Sequence, residues 1–170
     1  MNEYPWMAGL GVVGSVAPMC GGALVSDQYV LTAGHCCSGY ISLSMITSDK
    51  CEHLFRKSAS QLQVSLGDHD WTQGGEADSF KRAVSQVKMY PSYGQGAQFN
   101  NDVCLLKLEM PVSFLAHPHV RPICLPETSS NNYANQLAAV AGWGRTGNGN
   151  SISTFLLETD LRVWPQEGYQ

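Results

Sequence analysis

Two short segments carry residues whose chemistry stands out from the rest of the chain. In Leu31-Thr32-Ala33-Gly34-His35-Cys36, an imidazole follows three small residues. Small neighbours leave space beside His35 for a substrate and a partner carboxylate, which is what side-chain proton transfer requires. In Asn100-Asn101-Asp102-Val103-Cys104-Leu105-Leu106-Lys107-Leu108, a carboxylate opens an apolar run. Asp102 is therefore expected to be partly buried, and an ionised buried carboxylate needs a hydrogen-bonding partner. Each residue also has a plainer reading, His35 as a structural histidine and Asp102 as a strand-capping or turn aspartate. No Gly-x-Ser-x-Gly elbow accompanies them in the 170 residues.

The six cysteines, at 20, 36, 37, 51, 104 and 124, sharpen the reading of His35. None forms the Cys-x-x-Cys spacing of a zinc or redox site. Cys20 and Cys36 enclose a predicted hairpin, so a disulfide between them would fix the loop that presents His35. Cys37 and Cys51 both fall in a polar loop over 37–60, and a bond between them would limit its entropy. Cys104 lies inside an apolar strand and reads as a buried free thiol. Such a framework belongs to an oxidising, extracellular compartment. Met1 is followed at once by Asn2-Glu3 rather than an export signal, so the chain is expected to have lost its beginning.

The elements that must position these residues are short strands. Ala23–Val25 and Tyr29–Thr32 flank Ser26-Asp27-Gln28 as a hairpin. Gln63–Leu66 alternates polar and apolar before Gly67, and Arg82–Met89 stops at Pro91. Val103–Leu108 and Leu137–Ala141 are nearly continuous apolar runs, expected to be buried on both faces. Glycine, proline and asparagine between the strands point to an all-β barrel or sandwich. With 44% hydrophobic and 14% charged residues, the chain can fill a compact core. A net charge of −4, with Lys and Arg scattered, gives no ground for nucleic acid or an anionic membrane as partner. No stretch approaches the roughly 18 apolar residues that span a bilayer.

Taken together, Cys20-Gly21-Gly22-Ala23-Leu24-Val25, Leu-Thr-Ala-Gly-His-Cys and Asn-Asp-Val-Cys-Leu-Leu resemble the histidine and aspartate signatures of chymotrypsin/trypsin-like serine proteases. Tyr4-Pro5-Trp6-Met7-Ala8, Met89-Tyr90-Pro91-Ser92-Tyr93, Val120-Arg121-Pro122-Ile123-Cys124-Leu125-Pro126 and Ala141-Gly142-Trp143-Gly144 extend the resemblance along the chain in the family's order. Gly34 stands where the family usually has alanine. The resemblance implies a trypsin-like double β-barrel: residues 1–120 as a nearly complete N-terminal barrel, 121–170 as connector and first strands of a truncated C-terminal one. It implies that Asp102 accepts the Nδ1–H of His35 and fixes its tautomer for cleavage of protein or peptide substrates. It also implies a propeptide disulfide through Cys124.

The family's nucleophile and oxyanion hole arrive together in Gly-Asp-Ser-Gly-Gly-Pro, which these residues do not contain. The expectation is therefore a secreted endopeptidase domain with histidine and aspartate but no serine, inactive as it stands. The alternative is a non-catalytic protease homologue that binds or regulates. Gly67-Asp68-His69-Asp70 to Glu76-Ala77-Asp78 is similar to the family's calcium loop, with a solvated acidic loop as the simpler reading. His117-Pro118-His119 reads as a surface connector, and no metal ligands are assigned.

Overall fold

The computed structural model describes residues 3–39, 55–73, 79–127 and 133–165. Six antiparallel strands close into a barrel in the order β1 (Met7–Val12), β2 (Cys20–Leu24), β3 (Tyr29–Thr32), β8 (Cys104–Leu108), β7 (Phe80–Met89) and β6 (Leu62–Leu66). A one-turn helix α1 (Gly34–Cys37) leaves β3, and a short pair, β4 (Ser38–Gly39) with β5 (Phe55–Arg56), follows it. Two further strands, β9 (Leu137–Gly142) and β10 (Leu157–Arg162), form a separate antiparallel pair. Among the described residues no helix is long and apolar enough to cross a membrane.

Period-two alternation builds the barrel core. Leu62, Val64 and Leu66 of β6 point inward, as do Cys104, Leu106 and Leu108 of β8, and all six are 0% exposed. Leu10, Leu24 and Val30 close the core from the other side. Each fully buried leucine contributes about 1.5–3 kcal/mol relative to exposure, so the barrel is the stable body of the molecule. The Ser26 hydroxyl shapes the β2–β3 hairpin by accepting from the Gln28 and Tyr29 amides, both at 3.1 Å.

Two expectations for the Cys104 strand need correction. The run Val103–Leu108 is not buried on both faces: Leu105 and Lys107 are only partly covered, and Val103 lies outside the strand, 44% exposed. A barrel strand has one inner face, and here the outer face happens to be apolar at Leu105. Cys104 is buried as expected but is not a free thiol. It is bonded to Cys37, which replaces the Cys37–Cys51 pairing. The cause is the ladder: Thr32 of β3 pairs with Cys104, and β3 runs directly into α1, so Cys37 falls above the first residue of β8. Cys51 lies outside the described residues. The Cys20–Cys36 bond is present, and Cys124 is exposed and unbonded.

The second sheet is thin. Every residue of β10 is exposed, and Leu137, Val140, Phe155, Leu157, Leu161 and Trp164 show large apolar surface, so the run Leu137–Ala141 is not buried on both faces as expected. It meets the barrel at the turn after β6. The His69 carbonyl accepts from the Trp143 indole at 3.0 Å and from the Leu156 amide at 2.8 Å. The Trp71 indole donates to the Ser153 carbonyl at 2.7 Å. Ahead of β1, the Tyr4 hydroxyl hydrogen-bonds Glu158, and with some burial and nearby carboxylates this pushes its pKa up to about 12.

Peptide mapping without reduction is expected to recover a Cys37–Cys104 crosslink, and a Cys37–Cys51 species would overturn the pairing. The bond closes a 67-residue separation. Replacing both partners by serine should therefore lower unfolding free energy by about 2–4 kcal/mol in a urea titration. Amide exchange should be slow in β6 and β8 and fast throughout β10, where burial is absent.

Candidate active site

The structure brings His35 and Asp102 together. Asp102 precedes β8, His35 sits in α1, and the β3–β8 ladder aligns the two ends. One carboxylate clasps the histidine twice. Oδ1 accepts the His35 backbone N–H at 2.7 Å, and Oδ2 lies 2.7 Å from the ring Nδ1. The first bond fixes the main chain and the second fixes the ring plane, so the imidazole keeps only the freedom that the clasp leaves. Its side chain remains 43% exposed, against 24% for Asp102. The imidazole is thus held from one side and open to solvent on the other.

The Asp102 carboxyl is held below its ordinary range. Partial burial pushes its pKa up, but hydrogen bonds from the His35 ring, the His35 amide and the Gly34 amide outweigh this and keep it ionised. An ionised carboxylate accepting from Nδ1 selects the tautomer that carries the proton there. The lone pair then resides on Nε2. Such a ring can take a proton from a group approaching the open side.

The disulfides brace this arrangement from both ends. Cys36 is tied to Cys20 at the start of β2, and Cys37 to Cys104 at the start of β8. His35 therefore precedes two consecutive crosslinked residues, Cys36 and Cys37, and Asp102 stands two residues before Cys104, the partner of the second. Both bonds fall within a single helical turn, which has too few hydrogen bonds to be stable alone.

Two residues of this site, Tyr93 and Phe99, were not singled out as candidates by their sequence. Tyr93 fills the space above Gly34: a Cβ at Gly34 would lie 2.8 Å from the Tyr93 Cδ2 and 3.0 Å from Asp102 Oδ1. Gly34, the small departure noted above, is thus matched by a ring packed where a methyl would be. Phe99 meets the imidazole edge-on, with ring centroids 5.7 Å apart and planes at 78°. Both aromatics come from the loop between β7 and β8. The only signal available was their occurrence in a loop otherwise built of small and polar residues.

In the acidic loop after β6, the first two carboxylates make local hydrogen bonds. Asp70 is buried, and its Oδ1 accepts from the Thr72 amide at 3.0 Å and the Thr72 hydroxyl at 2.6 Å. Asp68 Oδ2 accepts from Ser65 at 2.6 Å. Asp68 Oδ1 has no hydrogen-bond partner among the described residues. Glu76 and Asp78 lie outside the described residues. His117 stacks on Phe80 at 3.8 Å and meets His119 edge-on at 6.1 Å, so the pair is part of an aromatic surface cluster.

A closed antiparallel barrel, a second partial sheet docked on its rim and a carboxylate-clasped histidine between crosslinks define the trypsin-like double-barrel class. A family model described as Trypsin matches residues 1–170, and the chain belongs to the trypsin family. It is similar to Serine proteinase stubble of Drosophila melanogaster, 32% identical over 167 residues, covering 95% of this chain and 19% of that protein. Venom serine protease 34 of Apis mellifera is 28% identical, covering 98% and 38% respectively. Phenoloxidase-activating factor 3 of Holotrichia diomphalia is 32% identical, covering 86% and 40%. The chain spans 19% to 40% of the length of these relatives.

Because Asp102 has a depressed folded-state pKa, its contribution to stability is fully present above the ordinary carboxylate value of about 3.9. It is lost as pH falls through the lower folded value. Thermal melts should therefore show a drop below about pH 4 that is smaller in Asp102→Asn. Asp70, depressed first by the Thr72 hydroxyl bond, adds to the same fall, and Asp70→Asn separates the two. Gly34→Val should destabilise by about 1–3 kcal/mol through overpacking against Tyr93.

Proposed function

We propose that this chain is the histidine–aspartate part of a secreted serine endopeptidase domain, with His35 as general base and Asp102 as the group that orients it. The observation that carries the reading is the double clasp at 2.7 Å, which leaves the far side of the imidazole open. In this role Nε2 takes the proton of a serine hydroxyl as it attacks a peptide carbonyl, then returns it to the leaving amine. Asp102 keeps Nδ1 protonated and stabilises the imidazolium between the two transfers.

Family membership and relatives named as serine proteases support the reaction class. Protein substrates follow from that class. Two disulfides, and a relative whose name places it in venom, support secretion. Cys124 is exposed and unbonded, as a thiol that crosslinks to a propeptide must be. The 170 residues contain no Gly-Asp-Ser-Gly-Gly-Pro turn, the segment from which the family takes its nucleophile and oxyanion donors, and this supports reading the chain by itself as inactive.

A cleavage assay with unstructured peptide substrates tests this on two samples, the 170-residue chain and the product of its full transcript. The chain alone is expected to show no turnover. The full product should cleave, and His35→Ala in it should lower kcat by roughly 10⁶-fold. Turnover by the chain alone at a comparable rate would overturn the inactivity. A full product that folds without cleaving would instead favour a binding or regulatory homologue.

A further inference from the structure

We infer that Phe99 is a positioning residue for His35, held against the imidazole by a backbone conformation that its own side chain disfavours. The inference rests on reading His35 as a proton carrier, and goes beyond it by naming what limits the ring's motion. Phe99 has φ of +64°, in the left-handed region that bulky L-residues avoid. Asn101, at +53°, is less unusual, because asparagine tolerates that region.

The surrounding loop enforces the conformation. The Gly94 amide donates to the Asn100 carbonyl at 2.8 Å, and the Asn100 amide to the Ala97 carbonyl at 3.0 Å. The side-chain amide of Asn100 reaches the Gln95 carbonyl at 2.8 Å, and that of Asn101 reaches Ser92 at 3.1 Å. These bonds hold the chain on both sides of Phe99, which is the condition for strain to persist.

Gly94 and Gly96 occupy left-handed positions in the same loop, with φ of +75° and +85°. Glycine thus serves where only backbone freedom is needed, whereas position 99 carries a phenylalanine. Core packing does not account for it, since Phe99 is 47% exposed. The ring meets His35 edge-on at 5.7 Å. Asp102 fixes the Nδ1 edge, and an aromatic wall on a second side stops the imidazole from pivoting about that bond toward solvent.

The test uses the intact chain with three variants, Phe99→Ala, Phe99→Gly and Phe99→Tyr, and two readouts. The first is the proton NMR resonance of His35 Nδ1–H, with Asp102→Asn as the control that removes it. Phe99→Ala and Phe99→Gly should both lose this resonance to exchange with water, while Phe99→Tyr retains it. The second is thermal stability: Phe99→Gly should melt about 2–4 °C above Phe99→Ala, the reverse of the usual order, because only glycine relieves the left-handed strain. An unchanged resonance in the two truncated variants would overturn the positioning role. A glycine variant that melts no higher than alanine, or does not fold, would overturn the stored strain and with it the inference. Neither readout requires peptide cleavage, so failure of the peptidase reading stays distinguishable from failure here.

Discussion

The pairing of β3 with β8 is the constraint from which the site follows. Thr32 opposite Cys104 sets two chain ends side by side, one entering α1 with His35, the other arriving from Asp102. A one-residue slip would turn Cys104 outward and separate the clasp, because strand side chains alternate faces. The register is held by the inward leucines of β8 and again by the Cys37–Cys104 bond, which joins the same two ends covalently. Hydrophobic alternation and crosslink therefore specify one geometry by independent means. A two-point contact at 2.7 Å depends on that agreement.

Electrostatics then decides which state the clasp adopts. Burial works against an ionised Asp102, and three N–H donors from two consecutive residues work for it. The donors prevail because α1 begins at Gly34: the first amides of a helix lack intrahelical acceptors and are free to point at a carboxylate. Gly34 contributes in a second way, by leaving the space that Tyr93 fills beside Oδ1.

His35 and Asp102 stood out through local patterns, small residues before an imidazole and a carboxylate opening an apolar strand. Those patterns also suit a structural histidine and a turn aspartate, and it was the family resemblance that paired them. The Cys20–Cys36 bond was legible from cysteines bracketing a hairpin. The hairpin itself was legible from Ser26-Asp27-Gln28. Cys37–Cys104 was not, because loop entropy favours the nearer Cys51, and only closure of the barrel brings residues 67 apart into reach. The two-faced burial assigned to Val103–Leu108 failed for a related reason, since an apolar run does not say whether both faces meet a neighbour. Tyr93 and Phe99 were invisible because their importance lies in contacts between two loops, and neither spacing nor periodicity encodes such a contact.

Every group that holds His35 comes from the barrel or its loops: α1, the β7–β8 loop, and the crosslinked ends of β2 and β8. The second sheet is tied to the barrel by other groups, among them the His69 carbonyl, the Trp71 and Trp143 indoles and the Tyr4–Glu158 hydrogen bond, and it leaves β10 exposed. Positioning His35 is thus a task of the closed sheet, whose buried core and two crosslinks set the clasp. The weak packing of the second sheet lies outside the groups that make the two 2.7 Å contacts.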